Sequence, residues 1–228
     1  MNNPFMCKKT FFCIFIFSSI AFCSCGRLYL KVIGVRSFAI VSENNLKNYL
    51  SNYEVANANI YQIDSVSFVQ LINAKKKDTL IYNKPRWWIQ NHIQPLQTIC
   101  FDNETQKPVY AYFNCIAESR GLTQFTWNKN KELESFPPQE YTSGKWTDSL
   151  FTMIELTNTM VDFKGNRLRL QNNGKKYSVF LYYSLFVQKQ ANNIIQETIT
   201  HLNKYAPNEY NLYFVNFDNC LYQMSKSD

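Results

Sequence analysis

The side chains able to do covalent or acid–base chemistry are few and unevenly placed. Cys7, Cys13, Cys23 and Cys25 crowd the amino-terminal stretch, while Cys100, Cys115 and Cys220 are spread over the rest of the 228 residues. A reactive cysteine needs a lowered thiol pKa, commonly supplied by a C-x-x-C pair or a neighbouring base, and no C-x-x-C pair occurs. Cys100 and Cys115 fall in two runs that read as neighbouring strands, so they are a candidate disulfide; idle buried thiols are the competing reading. The two histidines, His92 and His201, have no partner at metal-ligand spacing, so no metal site is expected. Six glycines include no phosphate-binding loop and no G-x-S-x-G, and no catalytic residue or cofactor is assigned. Lys84-Pro85-Arg86-Trp87-Trp88 is the most unusual segment. Arg86, Trp87 and Trp88 form a candidate aromatic contact surface for a membrane interface, a sugar or a peptide, unless one tryptophan fills the core and the other covers it.

The cysteine-rich leader has its own logic. Lys8 and Lys9 make a short basic region, and Thr10 to Phe22 is uncharged, long enough for the apolar part of an export signal but short for a membrane span. Ser24, Cys25 and Gly26 follow. This resembles a bacterial lipoprotein signal, with Phe22 standing where such signals usually carry Leu. The resemblance implies that residues 1–24 are a signal peptide and that Cys25 is lipidated as the mature amino terminus. An uncleaved anchor helix is the alternative; both tether the chain to a membrane. Gly26-Arg27 carries no acidic cluster of the kind some envelope lipoproteins use for surface display, so a periplasm-facing position in the bacterial cell envelope is expected.

That address changes the meaning of the composition. Losing Lys8 and Lys9 with the leader lowers the formal charge from +7 to +5. The remaining lysines, such as Lys75, Lys76, Lys77, Lys175 and Lys176, are scattered. An exported chain of this kind is not expected to bind nucleic acid. Partners are the membrane, through the lipid, and an envelope protein or glycan. With 46% hydrophobic and 16% aromatic residues the chain can bury a real core and is not disordered. Residues 25–36 read as a tether and 37–228 as one globular domain.

The elements that must position these groups follow from pattern. Ser42-Glu43-Asn44 opens a helix through Leu46 and Leu50. Asn59 to Ile63 alternates as a strand, and Asp64 has N-cap chemistry for a helix bearing Val66, Phe68, Val69, Leu71 and Ile72, with Lys75–Lys77 at its end. Thr98–Phe101 and Val109–Phe113 flank Asp102-Asn103-Glu104-Thr105 as a hairpin. Leu122–Trp127 alternates, Phe136-Pro137-Pro138 stops regular structure, and Thr147-Asp148 is placed to cap a helix bearing Leu150, Phe151 and Ile154. Asn172-Asn173-Gly174 is a turn joining Arg167–Gln171 to Tyr177–Tyr183. Tyr177–Tyr183 (YSVFLYY) and Leu212–Val215 are continuous apolar runs. Between them Ala191, Ile194, Ile195, Thr198, Leu202 and Tyr205 keep helical spacing, and Pro207 marks the exit. Two buried-type strands joined by an amphipathic helix predict a parallel βαβ unit within a mixed sheet, an α+β or α/β fold.

The succession of Tyr182-Tyr183-Ser184, a helix, and Phe214-Val215-Asn216-Phe217-Asp218 resembles the central part of thioredoxin-like proteins over about residues 167–218. In that family a C-x-x-C pair opens the helix, whereas Leu185 to Gln190 holds no cysteine. Thiol–disulfide chemistry would then fall to Cys100, Cys115 or Cys220, as the alternative to a non-catalytic binding or accessory role. Finally, Asp64-Ser65-Val66, Asp78-Thr79-Leu80 and Asp148-Ser149-Leu150 resemble an Asp-Ser/Thr-aliphatic O-glycosylation sequon of certain bacterial periplasms. Ser65, Thr79 and Ser149 are therefore candidate modification sites, although Asp-Ser and Asp-Thr also begin helices and turns.

Overall fold

The computed structural model describes residues 35–53, 59–77, 92–113, 151–171 and 173–226. Within them six strands form one mixed sheet: β1 (Ile60–Ile63), β2 (Gln97–Asp102), β3 (Pro108–Phe113), β4 (Met160–Val161), β5 (Tyr177–Tyr183) and β6 (Tyr210–Asn216), in the order β3-β2-β5-β6-β1-β4. The inner strands β5, β6 and β1 are parallel, and β2, β3 and β4 join antiparallel. Five helices accompany them: α1 (Glu43–Leu50), α2 (Ser65–Lys76), α3 (Met153–Thr157), α4 (Gln188–Tyr205) and α5 (Asp218–Met224). The chain is thus an α/β protein with a mixed sheet.

Both faces of the sheet are covered. On one, Leu46 and Leu50 of α1 and Ala191, Ile194, Ile195 and Leu202 of α4 pack with Val179, Leu181, Tyr183 and Phe214. On the other, Phe68 and Ile72 of α2, Met153 and Leu156 of α3 and Cys220 of α5 pack with Phe101, Phe180, Tyr182, Tyr213 and Val215. Double coverage is why all seven residues of β5 are buried and why its sequence reads as a continuous apolar run instead of an alternating one. The βαβ unit is present as β5-α4-β6, with Tyr177 opposite Tyr210 and Tyr183 opposite Asn216. On α4 the apolar side faces the sheet while Asn192, Asn193 and Gln196 face water. The β2–β3 hairpin also forms, with Asp102 Oδ1 accepting from the Glu104 and Thr105 amides in its turn.

Three local expectations need correction. Asp64 occupies the N-cap position of α2 without making a side-chain capping bond. Only Phe68 and Ile72 of its apolar set are buried, leaving Val66 63% exposed; residues four apart share a helical face, and Val66 points off it. The cap of α3 is Thr152, in a capping box with Glu155, and Phe151 precedes the helix while Ile154 is exposed. Arg167–Gln171 does not pair with β5. Both edges of β5 are already taken by β2 and β6, so Arg167 forms an isolated antiparallel bridge with Val161 instead. Leu122–Trp127, Phe136-Pro137-Pro138 and Thr147 to Leu150 lie outside the described residues. Among the described residues no helix is long and apolar enough to cross a membrane.

Candidate functional site

The densest polar chemistry lies where β5, β6 and β1 end, the carboxyl edge at which open α/β sheets usually place their sites. β5 runs out into Ser184 and a short 3-10 turn, Leu185–Val187, that leads into α4. β6 runs out into Phe217 and Asp218, the first residue of α5. Pairing Tyr183 with Asn216 brings these two ends side by side. The Asp218 carboxylate, 3% exposed, receives four hydrogen bonds. Ser184 Oγ donates to Oδ1 at 2.5 Å, the Phe186 amide to Oδ1 at 3.1 Å, the Leu185 amide to Oδ2 at 2.8 Å, and Asn216 Nδ2 to Oδ2 at 2.6 Å. The amides belong to the turn that opens α4, where backbone dipoles favour a negative charge. Four donors fill the acceptor positions of a carboxylate. The Ser184 hydroxyl gives its proton to Asp218 and accepts from the Phe186 amide at 3.1 Å, so its oxygen is engaged on both sides.

The cluster extends outward in two directions. Asn219 Nδ2 donates to Gln62 Oε1 at 2.7 Å at the end of β1, and Asn219 Oδ1 accepts from the Val41 amide at 2.8 Å. The Arg36 amide donates to the Phe186 carbonyl at 2.8 Å, and the Phe38 ring stacks on Phe186 at 4.3 Å. Residues 35–42 therefore form a strap across the ends of β5 and β6. On the α1 side Tyr49 and Tyr53 both donate to Asn192 Oδ1, at 2.6 and 2.9 Å, and Tyr49 stacks on Tyr183. Burial pushes the Tyr49 and Tyr183 phenols well above their ordinary range. They act as neutral groups at any physiological pH.

Further around the same edge, Asp64 accepts from Ser67 Oγ at 2.6 Å and pairs with Arg167 at 2.9 Å. The Ser67 hydroxyl first, and Arg167 beside it, hold the Asp64 carboxyl below its ordinary value. A cleft of about 190 Å³ lies between α1, β1 and the turn after β4, bordered by Glu43, Lys47, Tyr61, Asp162, Phe163 and Lys164. Glu43 is paired with Lys47 at 2.7 Å and Asp162 holds the Asn166 amide at 2.8 Å.

The residues singled out by sequence scatter around this cluster without joining it. Cys100 is a free, buried thiol in β2, opposite Tyr110 and Val179, and burial pushes it far above the usual thiol range. Cys220 is free in α5, and burial and then Asp64 push it up to about 12. Cys115 lies outside the described residues. So do Cys25, Thr79, Ser149, Arg86, Trp87 and Trp88. Ser65 opens α2, and its hydroxyl donates to Gln223. His92 packs edge-on to Phe151 and His201 against Tyr205, and both are buried. No group of three His, Cys, Asp or Glu among the described residues is arranged to hold a metal.

Sequence reasoning missed Asp218, Ser184 and Asn219 as a unit. The available signal was the abrupt change from apolar to polar directly after two apolar runs, at Ser184 and at Asn216 and Asp218. Comparisons of this chain with protein-family profiles, curated proteins and solved structures find no match.

Proposed function

We propose that this chain is a lipid-anchored lipoprotein of the bacterial cell envelope, facing the periplasm, that serves as a non-catalytic binding or accessory module for an envelope protein or glycan. Anchoring is supported by the leader pattern ending at Cys25. The observation that carries the non-catalytic part is the Asp218 cluster: the edge where an α/β enzyme would expose reactive groups has its carboxylate and its serine hydroxyl engaged with each other and with backbone amides. The thiol alternative loses support because a nucleophilic cysteine needs a lowered pKa, and burial raises both Cys100 and Cys220. Ser65, Thr79 and Ser149 remain proposed O-glycosylation sites, Ser65 with its hydroxyl engaged by Gln223.

One labelling experiment addresses both parts. Metabolic palmitate is expected on the wild-type chain and absent from Cys25→Ser; normal labelling of that variant overturns the anchor. In the folded lipoprotein, Cys100 and Cys220 are expected to resist alkylation until denaturant is added. Rapid alkylation of either in the native protein overturns the non-catalytic reading.

A further inference from the structure

We infer that the strap's outer face, carried by Phe38 and Ile40, rests on the lipid bilayer, so that the carboxyl edge of the sheet is turned toward the membrane. The inference depends on Cys25 being the lipid site and adds an orientation to it. Between Cys25 and Val35 the chain has a reach of at most about 35 Å when fully extended, less than the diameter of about 40 Å expected for a domain of this size. The strap is also clamped to the domain by the Arg36–Phe186 and Val41–Asn219 hydrogen bonds and the Phe38–Phe186 stack. The tether therefore delivers its pull at this edge and to no other part of the sheet.

The chemistry of the edge fits a lipid surface. Ile40 is 70% exposed and Phe38 39%, and Val66, in the first turn of α2 after the end of β1, is exposed as well. Burying such side chains at the headgroup boundary removes apolar surface from water. Arg36 in the strap and Lys189 in the first turn of α4 are exposed. The acidic groups of the edge are already engaged: Asp218 in its buried cluster, Asp64 with Arg167, and Glu43 with Lys47. Asp218 is held by neutral donors and keeps its charge buried, so the exposed charge added to the edge by Arg36 and Lys189 is positive, complementary to anionic lipid headgroups.

The test uses the full-length lipoprotein reconstituted in vesicles of equal parts phosphatidylethanolamine and phosphatidylglycerol. Ile40→Cys reports the strap and Glu104→Cys, in the exposed hairpin turn at the opposite edge, reports the far side. Labelling by a membrane-impermeant maleimide is read by peptide mass, and intact mass reports processing and lipid at Cys25. The expected result is lipidated protein in which Ile40→Cys reacts about tenfold more slowly than Glu104→Cys. Equal rates on lipidated protein overturn the orientation and leave the anchor standing. An unprocessed, unlipidated chain overturns the anchor, and the orientation with it. Slow labelling of Ile40→Cys in a chain whose mass retains the leader assigns the patch to the leader segment and also overturns bilayer contact.

Discussion

At the carboxyl edge the chain leaves β5 and β6 through buried polar side chains, whereas at the amino edge it enters them through backbone conformation. The amino edge is built of exposed turns in which Gln106, Gly174 and Asn208 take left-handed φ values of 57°, 74° and 63°. Their hydrogen bonds are spread over many partners, some short-range, such as Asp102 Oδ1 with the Glu104 and Thr105 amides, and some long-range, such as Asn103 Nδ2 with the Lys175 carbonyl and Asn173 with Asn211. The carboxyl edge instead depends on Asp218 meeting Ser184, Leu185 and Phe186, which are more than thirty residues away in sequence. At the carboxyl edge four hydrogen bonds converge on one buried carboxylate, so a single error there should cost more than one in the amino-edge turns, where the bonds are divided among several exposed or half-buried groups.

The sharpest way to break this contrast is Asp218→Ala. It leaves the Ser184 hydroxyl, two amides and the Asn216 side chain buried without their acceptor, an expected loss of about 4 kcal/mol in denaturant unfolding. A loss below about 1 kcal/mol would mean that water or a rearranged turn replaces the carboxylate easily and that the two edges do not differ as described. Gly174→Ala probes the amino edge. No atom lies within 4 Å of the added Cβ, so the cost is backbone strain alone, about 1 kcal/mol. A value near that of Asp218→Ala would erase the distinction.

The smallest effect is expected at the periphery of the carboxyl edge, where Asp64 pairs with Arg167. Removing the carboxylate by Asp64→Asn should cost about 0.5 kcal/mol near neutral pH, since the pair is partly solvated. The Asp64 pKa is depressed in the folded protein relative to its ordinary 3.8. Its contribution is therefore complete above that value and disappears as pH falls through the lower folded value. The gap between wild type and Asp64→Asn should narrow over that acid range in urea unfolding. A gap that widens instead would reverse the assigned sign.

Much of the architecture was readable where local chemistry and tertiary environment agree. YSVFLYY reads as a buried strand and is one; Ala191, Ile194, Ile195, Thr198 and Leu202 lie on the face that packs against the sheet. The Asp102–Thr105 turn was equally plain, because an Asx turn is made by a side chain and its own neighbours. Arg167–Gln171 was misread because a turn sequence says that the chain reverses without saying which strands already occupy the neighbouring positions. Phe151 precedes α3 instead of joining Ile154 on it, because Thr152 and Glu155, three residues apart, close a capping box that starts the helix at Met153.

The sequence by itself determined the parallel β5-α4-β6 unit and the Asp102–Thr105 hairpin turn. Hydrophobic periodicity and capping act over a few residues, so they are written in consecutive letters. Tertiary structure alone decided that Ser184, Asn216 and Asp218 meet, that a strap crosses them, and that Cys100 and Cys220 are sealed away from solvent. Those facts depend on the register between β5 and β6 and on which helix covers which face. Both are set by global packing, which brings together groups that have no local interaction in the unfolded chain.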